Sequence, residues 1–450
     1  MRKTILTAGV MALSLVSASV VAAVSNEEAA RLGNDLTPIG AERAGGADGR
    51  IPAWDGGLSR PGEDVERPVN PFADDEPLYT ITHDNLDEHR DRLSPGQIAM
   101  FERYDSFYMP VYETRRTSTY PQEIFDLVKQ NATNASLVEG GSGLEGFEMA
   151  IPFPIPQSGL EVIWNHLTRY RGGKVERLVN QLPVQSNGNF EAVRLREQLV
   201  WPEYLQGGRD ESADDNILFY FLQQVLAPGR LTGTVLLVHD TIDQVREGRR
   251  AWIYNAGQRR VRRAPNVAYD GPGTAADGLR TSDQLDMFNG APDKYNWELV
   301  GKKEMYIPYN NYELLNTDLA YSDIIQPGHE NPEYTRYELH RVWHVEATLK
   351  EGERMIYSRR SFFIDEDTWT ASVIDQYDGR DELWRVSQAY HVQFYGNDVP
   401  WMAMESVYDL NNGRYISLGL ANEEDEYMDF DIEPRRSDFS TNALRRMGIR

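Results

Sequence analysis

The chain has 450 residues, carries 46 Lys and Arg against 70 Asp and Glu for a net charge of −24, and contains no cysteine. So acidic a chain lacks the basic footprint that general nucleic-acid binding needs, and it is repelled by anionic lipid surfaces. The missing thiols exclude disulfides, thiolate chemistry, Cys-ligated metals and a lipidated cysteine behind a leader.

Arg2 and Lys3 precede an apolar stretch, Ile5 to Val16, that is shorter than the ~20 residues of a bilayer span. Val21-Ala22-Ala23 then places small side chains at a signal-peptidase site. That order predicts a cleaved secretory signal over residues 1–23 and a periplasmic protein beginning near Val24. Residues 24–82 hold Pro52, Gly56-Gly57, Pro61, Pro68, Pro71 and Pro77 with few periodic apolar runs, which predicts an extended arm packed over something larger. A helical segment follows over 83–173. Ser94-Pro95 caps a helix to about Tyr104. Tyr120-Pro121 opens another with Ile124, Leu127 and Val128 on one face, and Gly159 to Tyr170 a third with Leu160, Ile163, Trp164 and Leu167.

From Lys174 the period falls to two. Strands are predicted over Val193–Trp201, Leu231–His239, Arg250–Asn255, Arg259–Arg263, Trp297–Tyr306, Tyr337–Leu349, Met355–Ile364, Thr368–Asp375, Glu382–Phe394, Trp401–Asp409 and Arg414–Gly419. Asn187-Gly188, Asp378-Gly379 and Asn412-Gly413 turn between them, so the pairing is antiparallel. The predicted fold class is α+β and β-dominated, one large curved sheet of about ten strands over residues 174–421 with helices against it. The Gly/Pro/Asp-rich stretch 264–290 is long enough to be a lid or a disordered loop. Residues 422–450 read as a charged tail whose acidic run Glu423–Glu426 is solvated.

Catalytic motifs fail on context. Gly141 to Gly146 spells G-x-G-x-x-G, but prolines 152, 154 and 156 follow where a helix should open. Ser142 lacks the second glycine of a nucleophile elbow, Leu144 standing in its place. His340 and His344 are four apart on a strand, hence about 13 Å apart, too far to share a zinc; they read as polar-face histidines. No catalytic residue, metal or cofactor is expected. The positive anomaly is Arg249, Arg250, Arg259, Arg260, Arg262 and Arg263 in one hairpin. An outward strand face explains them, and so does a dock for an anionic partner, to which guanidinium forks are suited.

Leu36 to Gly45 followed by Gly49 to Gly57, Pro152 to Pro156 with Ile163 to His166, Trp252-Ile253-Tyr254 through Asn266, Phe288 to Pro292, and Tyr306 to Asn310 together resemble the domain-of-unknown-function family numbered 1329. The resemblance spans essentially the whole chain after residue 23. That family is in turn similar to the periplasmic lipoprotein carrier LolA and its receptor LolB, through the W-x-Y…V-R-R hairpin and the run Phe363 to Arg385. The resemblance implies an incomplete antiparallel barrel around a hydrophobic cavity, a lipid-like ligand, and association with an inner-membrane resistance-nodulation-division (RND-type) transporter and an outer-membrane protein. It supplies no catalytic residues. Greater length, the arm and the 264–290 loop set this chain apart from the lipoprotein carriers.

On this basis the leading expectation is a non-catalytic periplasmic carrier. A structural adaptor of an envelope complex and a lipid or polymer hydrolase are the alternatives. Tyr337, Leu339, Arg341, Trp343 and Val345 share one face of a strand and are the expected ligand-binding residues, with Arg341 meeting an anionic headgroup; Glu338, His340, His344 and Glu346 point away. Arg259, Arg260, Arg262 and Arg263 are the expected partner-docking residues.

Overall fold

The computed structural model describes residues 24–138 and 140–448, so the predicted signal peptide lies outside the described residues. Thirteen strands of four residues or more lie in one sheet. They are β1 (Lys174–Val184), β2 (Val193–Val200), β3 (Ile217–Ala227), β4 (Val235–Thr241), β5 (Arg250–Asn255), β6 (Arg260–Arg263), β7 (Tyr295–Pro308), β8 (Tyr337–Leu349), β9 (Arg359–Asp365), β10 (Ala371–Tyr377), β11 (Leu383–Phe394), β12 (Val399–Asp409) and β13 (Tyr415–Leu420). Every consecutive pair from β1 to β6 and from β7 to β13 is antiparallel, and β13 pairs antiparallel with β1, Tyr415 opposite Val184. The spatial order is therefore β7 through β13, then β1 through β6. The barrel stays open, with β6 and β7 at its edges. A short parallel contact of Val111 with Tyr337 makes the sheet mixed at one end.

The predicted strands stand close to where the period-two pattern put them, and Tyr337–Leu349 matches residue for residue. β3 was not predicted, because Ile217 to Leu222 is apolar without alternation. The structure shows why. Tyr220 and Leu222 pack with Tyr254, Phe439 and Leu444 on the outer face, while Phe219 and Phe221 turn to the inner one. A strand buried on both faces reads as a continuous apolar run.

Four helices of eight residues or more cover the sheet: α1 (Pro95–Arg103), α2 (Gln122–Asn134), α3 (Gly159–Thr168) and α4 (Thr441–Gly448). Ser94 caps α1 as its sequence implies, accepting from Gln97 N. The same Ser94 hydroxyl donates to Asp375 of β10, and Gly96 N donates to that carboxylate too, fixing the helix on the sheet. α4 is the helical end of the segment predicted as a charged tail. Its Leu444 is fully buried against β4 and β5, so the basic residues form only the outer side of a packed helix. In the acidic run Glu423, Asp425 and Glu426 are exposed as expected, and Glu424 alone is held by Arg194 and Asn180 from the sheet. Among the described residues no helix is long and apolar enough to cross a membrane.

Candidate functional site

The chain leaves the sheet at edge β6 and re-enters at the opposite edge β7, so residues 264–294 must cross between the two edges. They do so over the inner face of the sheet. This roof is the segment predicted as a lid or disordered loop, and it is packed instead: Leu279, Asp283, Gln284, Met287 and Phe288 are all buried. Gly/Pro/Asp-rich sequence has no period, so its burial left no pattern to read.

Polar contacts hold the roof. Asp286 pairs with Arg169 and Arg171 just beyond α3. Asp283 pairs with Arg360 of β9 at 2.6 Å. His166 of α3 faces the carbonyls of Phe288 and Asp286 through Nε2 at 3.0 and 3.2 Å, and accepts from Ala371 N on β10 at 3.1 Å. Asp286 and Met287 both adopt left-handed backbone, φ 57° and 63°, a conformation that costs a non-glycine residue about 1–3 kcal/mol. Their N–H groups both donate to the Glu405 carboxylate of β12, which holds that conformation in place. Burial, with Asp286 nearby, pushes Glu405 up to about 7.

Under the roof two voids of about 40 and 30 Å³ remain. Each has room for little more than a water or a methyl group. Phe219, Phe221, Leu285 and Asn289 line both. Apolar walls come from Leu199, Trp401, Leu236 and Val238. The polar lining is cation-rich: Arg171, Arg177, Arg249 and Arg280 against the carboxylates Glu197 and Asp286. Arg177 pairs with Glu197 and Arg249 with Asp240. Burial pushes Arg171 down to about 10, against the pull of Asp286. Arg280 is 4% exposed. It donates to Gln181 Oε1 and the Thr281 carbonyl and makes no ion pair among the described residues. A buried guanidinium without a carboxylate is costly. Here it lines a void with aromatic and aliphatic walls on one side, inside a protein of net charge −24.

Residues 80–445 match the model of the family described as "Protein of unknown function (DUF1329)". The chain belongs to that family. It is 57% identical over 452 residues to the uncharacterized protein PA3922 of Pseudomonas aeruginosa, covering 100% of this chain and 99% of that one. Among solved structures it is similar to a domain of Vibrio parahaemolyticus provisionally named for outer membrane lipoprotein sorting, at 14% identity and TM-score 0.42, covering 64% of this chain and 98% of that one. A LolA superfamily protein of Nitrosomonas europaea matches at 10% identity and TM-score 0.39, covering 64% and 100%.

In this DUF1329 protein the residues expected to bind ligand lie elsewhere than the voids. Tyr337, Leu339 and Val345 are buried in the core of β8. Trp343 is half-buried, stacked on Trp369 with centroids 6.1 Å apart and covered by Lys302 at 4.5 Å. Arg341 is paired with Glu366 at 2.6 Å and donates to the carbonyls of Glu42 and Ala44. None of the five lines either void. The opposite face of β8 was expected to be outward, and that is corrected: Glu338 and His340 are 0% and 1% exposed, because the stretch around Arg115 and the 309–336 connection cover them. The alternation was read properly, but its polar half meets protein rather than water.

The basic hairpin divides. Arg249 is buried on Asp240, while Arg259, Arg260, Arg262 and Arg263 are exposed on edge β6. The void residues Phe219, Phe221, Leu285 and Arg280 were missed. The available signal was the Phe219-Tyr220-Phe221 run itself, whose alternate rings must face two different cores.

Proposed function

We propose that this protein is a non-catalytic periplasmic carrier whose half-barrel binds an anionic amphiphile, such as a fatty-acid or lipid-like molecule, in the space the roof now fills. The observation that carries the reading is the inner face itself, where aromatic and aliphatic walls stand beside an arginine excess that includes the unpaired Arg280. An acyl chain suits the first and a carboxylate or phosphate the second. Besides its buried Leu279, Met287 and Phe288, the roof is held by ion pairs and main-chain hydrogen bonds, which a ligand headgroup and water can replace. The exposed arginines of β6 are assigned to docking an acidic partner, and an RND-type transporter with an outer-membrane protein is the partnership this reading carries.

The test is uptake of an anionic fluorescent fatty-acid analogue by full-length protein purified from periplasm, beside mass spectrometry of its organic extract. Leu285→Trp fills the shared wall of both voids and should abolish uptake. Arg280→Gln should weaken the anionic probe by about tenfold, the size of one charge-assisted hydrogen bond, and leave a neutral analogue unchanged. No co-purified amphiphile, together with uptake indifferent to both changes, defeats the proposal.

A further inference from the structure

A second constellation lies on the far side of β8, and the carrier reading does not use it. Four carboxylates converge where the N-terminal arm crosses the sheet. Glu338 is answered by Arg336 at 2.6 Å. Glu366 is answered by Arg341 and Lys302, at 2.6 and 2.7 Å. Asp367 takes the fork of Arg116, at 2.8 Å from Nε and 2.6 Å from the terminal nitrogen. Asp365 is wholly buried, and among the described residues it has no ion-pair partner and neither of its carboxylate oxygens has a hydrogen-bond partner.

Around it other polar atoms are equally buried and, among the described residues, unpartnered: the Tyr309 hydroxyl and His391 Nδ1. Both belong to the same cluster, the Tyr309 ring stacking on His340 at 3.9 Å and lying 5.3 Å from His391. One ligand atom each from His340, Asp365 and Asp367 falls within 4.8 Å of the others. Metal–ligand bonds of about 2.0–2.2 Å bring such donors to roughly 3.4 Å of one another in a tetrahedral site, an adjustment side-chain torsions supply. His340 Nε2 lies 3.1 Å from Glu338 Oε2. That contact fixes the ring and leaves Nδ1 for a metal, in the carboxylate–histidine–metal arrangement typical of protein sites.

We propose that His340, Asp365 and Asp367 bind a divalent transition-metal ion of the zinc or manganese class, with Tyr309 or water completing the shell. One imidazole and two carboxylates suit that class, whereas calcium and magnesium prefer all-oxygen shells. The ion would pin three pieces of chain at once: strand β8, the β9–β10 turn and, through Arg116, the arm.

Untagged full-length protein is stripped with EDTA, dialysed and titrated with zinc chloride, then with manganese chloride, by calorimetry, with elemental analysis of the washed protein and thermal melts alongside. One equivalent of tightly held metal and a rise in Tm are expected. Asp365→Asn should lose the equivalent and the rise. Its Tm in EDTA should not fall, since it removes only an unpaired buried carboxylate. Glu338→Gln, which touches the ring and not the metal, should weaken binding about 10–100-fold. His344→Gln should change nothing, its Nε2 being engaged by Glu346. If neither metal binds, or if binding survives in Asp365→Asn, the proposal is wrong. Should Asp365→Asn fail to fold, Glu338→Gln and a cobalt-substituted spectrum decide in its place.

Discussion

Acid should destabilise this protein through His166 by an amount the structure fixes. The ring is fully buried and joins three elements: its own helix α3, the roof carbonyls of Asp286 and Phe288, and Ala371 N of β10. Accepting at Nδ1 and donating at Nε2, it is neutral in the folded state. Burial first, then the Arg169 guanidinium, push it down to about 3. Arg171 acts in the same direction, and Asp286 and the Trp369 carbonyl oppose them. A histidine whose folded pKa is depressed contributes stability that is complete above its unfolded pKa of about 6.5 and is lost as pH falls toward the folded value. At pH 5 the unfolded ring carries a proton and the folded ring does not. The loss from pH 6.5 is then 1.5 units at about 1.36 kcal/mol each, or about 2 kcal/mol. That figure is insensitive to how far below 4 the folded pKa lies. The assay is urea unfolding of the wild type and of His166→Gln at pH 7.5 and pH 5.0. At pH 7.5 the variant should be weaker by about 1–3 kcal/mol for its lost buried hydrogen bonds; at pH 5.0 that deficit should shrink by about 2 kcal/mol. Equal deficits at the two pH values would refute the account.

The two stacked tryptophans should behave differently. Trp369→Ala empties a fully buried site whose Nε1 donates to the Ile39 carbonyl and should cost about 3–5 kcal/mol in urea unfolding, whereas Trp343→Ala, half-buried beneath Lys302, should cost clearly less. Changing Arg259, Arg260, Arg262 and Arg263 together to Gln should leave Tm nearly unchanged, since exposed charges contribute little, and should weaken association with an acidic partner in a salt-dependent way; a large drop in Tm would make them structural. Intact-mass measurement of periplasmic protein should place the first residue at or near Val24.

How legible the molecule was depends on what covers each face. Strands β7 to β13 could be bounded from alternation to within a few residues, because their apolar positions recur in step and two of their turns carry Asp378-Gly379 and Asn412-Gly413. β3 could not, since Phe219 and Tyr220 serve two cores at once. The same double covering misled the reading of β8: its polar face holds His340 and Glu338 in the interior. Testing His340 against His344 along one strand asked for a metal partner in the wrong direction. The candidate partners come from the next strand and its turn, where Asp365-Glu366-Asp367 was the signal that spacing within β8 could not provide. The roof was legible only as an absence of period, and nothing in its composition distinguishes a filled interior from an open mouth.

The seam between β13 and β1 governs how this chain can fold. Each meander, β1 to β6 and β7 to β13, consists of neighbouring hairpins that can zip one after another. The seam joins Tyr415 to Val184, residues about 230 apart, and closing so long a loop carries an entropic term of about 5 kcal/mol. Because β13 lies near the carboxyl end, a chain emerging amino end first can hold both meanders nearly complete while β1 is still a bare edge. Edges of that kind recruit strands from other copies. The slow, aggregation-exposed step in refolding should therefore be this non-local pairing.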